Sequence, residues 1–268
     1  MELKHIIALI ILTLTIPIIE TSQQITSKNI FEEALGALEE IWDEGNKVQA
    51  LMDIASAMAE AGMYEQASEV FREALKVIKK IERKDFAFLT FINIVSAIID
   101  AGIEDSPLYL EALEIAMEIR DIERWSSALR YIASAMAKAG MYEQGLKVVE
   151  KMWSIYYKVQ ALKDIASAMA KAGMYERASE VFREALRMTR NILDIEERSE
   201  ALIELVSAMV SAGIKDSSFY LEALSIAKDI EQDYYRVKTL IKIASAMAKV
   251  DSTSYVGKVY PLIESFIN

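Results

Sequence analysis

The side chains with most chemical potential in this sequence recur at matched positions. Serine stands at Ser56, Ser96, Ser134, Ser167, Ser207 and Ser245, each within a variant of the string Ile-Ala-Ser-Ala-Met-Ala. Four residues after these serines come Glu60, Asp100, Lys138, Lys171, Ser211 and Lys249; four before them come Met52, Ile92, Arg130, Lys163, Ile203 and Ile241. On a helix, residues four apart are neighbours on one face. Arg130, Lys138, Lys163, Lys171 and Lys249 would then give a locally positive surface suited to an acidic peptide or a terminal carboxylate. A solvated lysine face is the plainer alternative. The serines also read in two ways, as a ladder of hydroxyls for a ligand or as small residues whose hydroxyls bond back to their own helix.

Catalysis finds no comparable set. The chain has no cysteine, and its one histidine is His5. Cysteine nucleophiles, Ser-His-Asp triads, structural zinc and haem ligation by histidine therefore lack their residues in the body of the chain. Glu60 and Asp100 are the acids on the recurring face, without a repeated pair or supporting aromatics, so a carboxylate-dependent hydrolase is the least favoured reading. The sequence is read as that of a non-enzyme, with no catalytic, cofactor-binding or metal-ligating residues and no cofactor. A net charge of −11 argues against nucleic acid as partner, since phosphate binding needs a basic face. Few Asn and Gln beside many Glu, Lys and Ile suit a thermophilic source.

The elements that must position these rows are helices. Only 3 prolines and 9 glycines occur in 268 residues, and 53% of the residues are hydrophobic, ample for a core. Leu162, Ile165, Ala166 and Met169 follow the i, i+3, i+4, i+7 pattern of one helix face. Gly173 then supplies a left-handed turn, and a second helix from about Tyr175 carries Ala178, Phe182 and Ala185 inward. Ala-Gly recurs at Gly62, Gly102, Gly140, Gly173 and Gly213. The 111 residues from Gly62 to Gly173 also separate Gly102 from Gly213 and Trp42 from Trp153. Between Lys47 and Leu75, 26 of 29 residues equal their counterparts at that offset. A tandem duplication of a three-hairpin block is expected, with blocks at about 31–141 and 142–252 and a C-terminal cap at 253–268. In the longer repeats Ser106-Pro107 reads as an N-cap followed by proline in the first helical position.

The series Leu162, Ile165, Ala166, Met169, Gly173, Tyr175, Ala178, Phe182 and Ala185 resembles the tetratricopeptide signature, and so does Leu51 through Ala74. The family's closing proline is absent, with Lys79 and Arg190 in its place. The resemblance spans roughly residues 25 to 268. It implies an all-α, right-handed α-solenoid of about six helix-turn-helix repeats, whose first helices line a concave ligand-binding groove. The family's carboxylate clamp uses asparagines that have no match here.

Ahead of the repeats, Ile6 to Ile19 is an almost unbroken apolar run preceded by Lys4. Its length suits a signal-peptide core or a membrane anchor at 1–22, placing the chain outside the cytoplasm, secreted or anchored. Phe86, Phe88, Trp125, Tyr156, Tyr157, Tyr234 and Tyr235, near the starts of first helices, rim the groove or pack between repeats. Lys76, Lys79, Lys80, Arg83 and Lys84 read as a solvated helix end. The functional expectation is a non-catalytic scaffold for a protein or peptide, acidic in character, with membrane contact only through the N-terminal segment. The alternative is a self-associating component of a cell-envelope assembly.

Overall fold

The structure, a computed structural model, describes residues 27–250. Among them are twelve α-helices and no strand. In chain order they are α1 (Ser27–Ala37), α2 (Glu44–Glu60), α3 (Tyr64–Ile78), α4 (Lys84–Asp100), α5 (Ser106–Met117) and α6 (Ile122–Lys138). Then follow α7 (Tyr142–Lys151), α8 (Ile155–Lys171), α9 (Tyr175–Thr189), α10 (Ile195–Ser211), α11 (Ser217–Lys228) and α12 (Asp233–Val250). The bounds of α2 to α5 reappear in α8 to α11 at the offset of 111 residues. The apolar N-terminal run and the expected C-terminal cap lie outside the described residues.

The chain folds as an all-α solenoid. The first helices α2, α4, α6, α8, α10 and α12 form one continuous layer, each packed on the next. The second helices lie against them. In α8 and α9 the expected inner faces are closed to solvent: Ile165, Ala166 and Met169 on one side, Ala178, Phe182 and Ala185 on the other. Alanine at so many of these positions lets helix axes approach closely, and fully buried Phe71, Phe182, Leu129 and Ile132 fill the space between them. Helix α1 is a second helix without a preceding first helix among the described residues.

Each of the five Ala-Gly turns is made in the same way. At the end of α8, Gly173 adopts φ +80°. Its N–H donates to the Ala170 carbonyl at 3.0 Å, and the Met174 N–H donates to the Met169 carbonyl at 2.9 Å. These are the two bonds of a Schellman cap, which needs a left-handed residue that glycine adopts without penalty. The chain is then already aimed into α9, which starts with no side-chain cap.

The two repeats with lengthened turns depart from this plan. Their second helices, α5 and α11, lean more on the following first helices, α6 and α12, than on their own. The N-cap of α5 is Asp105, one residue before the expected Ser106, so Ser106 and Pro107 both lie inside the first turn. The Asp105 carboxylate is drawn away from capping by Arg72, whose guanidinium meets it at 3.2 Å. Its counterpart Asp216 does cap, accepting the Ser218 N–H at 2.9 Å, a bond that holds its carboxyl below the usual carboxylate range. Both turns are tied down by a buried tyrosine: Tyr109 donates to the Ile103 carbonyl and Tyr220 to the Ile214 carbonyl, each at 2.7 Å.

Burial, then the nearby Glu104 and Asp105, raise the Tyr109 hydroxyl above its ordinary range. The raised value favours the protonated form in the folded state, so its stabilisation is complete below the ordinary pKa of about 10 and is lost as pH rises beyond it. Tyr109→Phe should cost about 1–2 kcal/mol at neutral pH. Urea midpoints should then show a smaller loss of stability between about pH 9 and about pH 11 in the variant than in the parent.

Candidate functional site

Among the described residues the first-helix layer carries a groove of about 670 Å³ at its middle, where α4, α6 and α8 run side by side. Of the residues expected to act together, it gathers Ser96, Arg130, Ser134, Lys138, Ser167 and Lys171. Asp100, Tyr131, Tyr142 and Asp164 complete its polar and aromatic lining. Ser56, Lys163, Ser207, Ser245 and Lys249 line other parts of the layer and do not reach this groove.

The serines divide by their neighbours. Ser167, Ser207 and Ser245 donate to the carbonyls of Lys163, Ile203 and Ile241 at 2.7–2.8 Å, the back-bonded alternative. Ser134 instead crosses to the next helix and donates to Asp164 Oδ2 at 2.7 Å. No continuous ladder of free hydroxyls results. The basic row divides likewise. Arg130 meets the same Asp164 oxygen at 3.3 Å while its guanidinium lies 4.5 Å from the centre of the Tyr131 ring. Lys163 Nζ is held 2.6 Å from both Gln160 Oε1 and Glu204 Oε2. Lys138 and Lys171 are exposed and form no ion pair among the described residues.

The neutralising acids belong to a row not singled out from the sequence, three residues before each serine: Asp53, Asn93, Tyr131, Asp164, Glu204 and Lys242. The packing pairs that row with the row four before the serine on the preceding first helix, giving Arg130–Asp164 and Lys163–Glu204. A charge alternation between the two rows, one repeat apart, was the available signal. In the groove the positive character is therefore concentrated at Lys138 and Lys171, while Lys249 is exposed at the end of α12. On α10 the surface is acidic, with Glu196, Glu197, Glu200 and Glu204. Burial, then Glu200, Glu204 and Glu197, push the Tyr156 hydroxyl up to about 12, and burial followed by Asp194, Glu123 and Glu200 raises the Glu197 carboxyl.

The aromatic positions mostly serve packing. Phe88, Trp125, Tyr156 and Tyr157 lie partly buried against the core, whereas Phe86 and Tyr234 are exposed. Lys79, in the basic stretch after α3, bonds Glu118 at 3.0 Å. Among the described residues no cluster of His, Cys, Asp and Glu could hold a metal ion, and no helix is long and apolar enough to cross a membrane.

No protein-family model and no curated protein matches this sequence. Among solved structures the chain is similar to a protein of Thermococcus onnurineus, at 18% identity over 85% of this chain and 76% of that one, with a TM-score of 0.34. It is similar to the nearly identical tetratricopeptide-like repeats of a Podosopora anserina putative kinesin light chain, at 15% identity over 79% of this chain and 99% of that one, with a TM-score of 0.36. It is also similar to a Pyrococcus horikoshii signal-transduction ATPase with a tetratricopeptide repeat sensor. That match has 20% identity over 94% of this chain but 42% of the other, with a TM-score of 0.35. At such scores the likeness adds nothing to what the helical hairpins of the chain themselves display.

Asp164 and Lys171 both line the groove but have different structural roles. Asp164→Ala strips Arg130 and Ser134 of their shared acceptor and should lower stability by about 1–2 kcal/mol. Lys171→Ala should stay within about 0.5 kcal/mol of the parent in the same urea titration.

Proposed function

We propose that this chain is a non-catalytic scaffold that holds a protein or peptide segment in the groove between α4, α6 and α8, and that it acts outside the cytoplasm. The carrying observation is the pair Lys138 and Lys171. Both are exposed in the lining of a groove where Arg130 and Asp164 already satisfy each other. A carboxylate on a bound segment would be the complement these two ammonium groups lack, while Tyr131 and Tyr142 add aromatic surface to the lining. Asp100 at the same groove would disfavour a ligand acidic along its whole length and favour one with a localised acidic group. The location rests on the apolar run Ile6 to Ile19.

The test is a panel of immobilised peptides differing only in the number and place of acidic residues, with binding measured at two salt concentrations. A segment with one acidic cluster should bind best and weaken with salt. Lys138→Glu with Lys171→Glu should cut its affinity by roughly tenfold, through faster dissociation and slower association. Equal binding by parent and double variant would reject the groove reading.

A further inference from the structure

The two ends of the described solenoid are halves of a junction that the chain makes once internally. In its middle, α6 packs on α8 with α7 lying between them in the second-helix layer. At the offset of 111 residues, α12 is the counterpart of α6, α2 of α8, and α1 of most of α7. The described residues thus begin with a second helix and end with a first helix.

Identical or matched residues behave differently at the two places. On α8 the face toward α6 is closed: Gln160 is 4% exposed and Ala161 is fully buried. The same residues on α2, Gln49 and Ala50, are exposed and half-buried, and Asp53 is exposed where Asp164 takes Arg130 and Ser134. On α6 the face toward α8 carries buried Ser126 and Ser134. On α12 the same positions hold Val237 and Ser245, and with Tyr234 and Ile241 they leave an apolar stripe at helical spacing open to solvent. Tyr234, Val237 and Ile241 are 69%, 50% and 57% exposed. Three large apolar side chains in line on an end helix mark a surface suited to being covered.

We infer that a second copy of this chain docks head to tail, α12 of one copy on α2 of the next, in the register of α6 on α8. Asp53 of the incoming copy then lies opposite Ser245 and Ile241, as Asp164 lies opposite Ser134 and Arg130. The occupant is a second copy because the residues of α8 that fit α6, Gln160, Ala161 and Asp164, recur on α2 as Gln49, Ala50 and Asp53, which are not closed over among the described residues. The contact is heterologous, joining two different surfaces, so it propagates as an open row of copies unless the rotation closes it. It leaves the groove between α4, α6 and α8 free and is independent of the ligand-binding reading.

The absence of native cysteine allows a direct test with the full chain in mild detergent. One preparation carries Ser245→Cys and another Asp53→Cys. Under mild oxidation the mixture should form a disulfide-linked pair of unlike chains, and neither preparation alone should. The single-chain variant Ser134→Cys with Asp164→Cys should close an internal disulfide, establishing that the register permits the bond. Adding Ile241→Glu to the Ser245→Cys chain should lower the mixed product by about tenfold or more, since it puts a charge into the apolar stripe that the contact covers. Ile241→Leu should preserve it, because the stripe stays apolar. No mixed product when the internal control closes would overturn the inference, as would coupling of Ser245→Cys chains with one another or loss of product with Ile241→Leu.

Discussion

A helical hairpin of this kind has apolar surface on two sides and can cover neither by itself. Only a neighbour before and a neighbour after it can do so, and much else in the structure follows from that requirement. It explains why the first helices form an unbroken layer, why alanine dominates their contacts, and why stability is shared along the row. The Schellman turns serve the same end. A glycine at positive φ returns the chain in a single step, so that α9 lies on α8 with its apolar stripe already facing inward.

Charge is arranged on the same axis. Many of the ion pairs that leave one repeat end on the next: Arg72 with Asp105 and Glu111, Arg130 with Asp164, Lys163 with Glu204, and Arg183 with Asp216. Most of these side chains are a quarter to a half exposed, so each contributes modestly to stability. Their greater effect is on register, since a slip of one turn would set Arg130 against Gln160 or Ala168 in place of Asp164. The same pairing removes Arg130 and Lys163 as free cations, leaving Lys138 and Lys171 to set the electrostatics of the groove.

The fold was legible because hydrophobic period, turn glycine and repeat length all agree, and α9 begins at Tyr175 as its pattern indicates. The candidate site was legible only in part. Six serines occupy one sequence position, yet Ser134 differs from Ser167, Ser207 and Ser245 because of Asp164, a residue on another helix. Residue type along one helix carries no record of what the next helix presents. The N-caps of α5 and α11 fall at the equivalent Asp105 and Asp216, but Asp105, held by Arg72 from α3 at 3.2 Å, makes no cap bond whereas Asp216 does, a difference that lies on another helix. Lengthened turns also changed which first helix α5 and α11 favour, a matter of geometry between repeats that no single window of residues contains.

The tryptophans have a consequence for how this molecule can be observed. Of the three in the chain, Trp42 and Trp153 stand just before α2 and α8, 94% and 77% exposed, while Trp125 is partly buried at the start of α6. Two of the three fluorophores already sit in water when the protein is folded. Intrinsic emission is therefore almost blind to the ends of the solenoid and reports chiefly on the environment of α6. In a structure held together by neighbours alone, an optical melting curve is a local reading near the centre of the row. Unravelling that starts at α1 or α12 would leave it nearly flat.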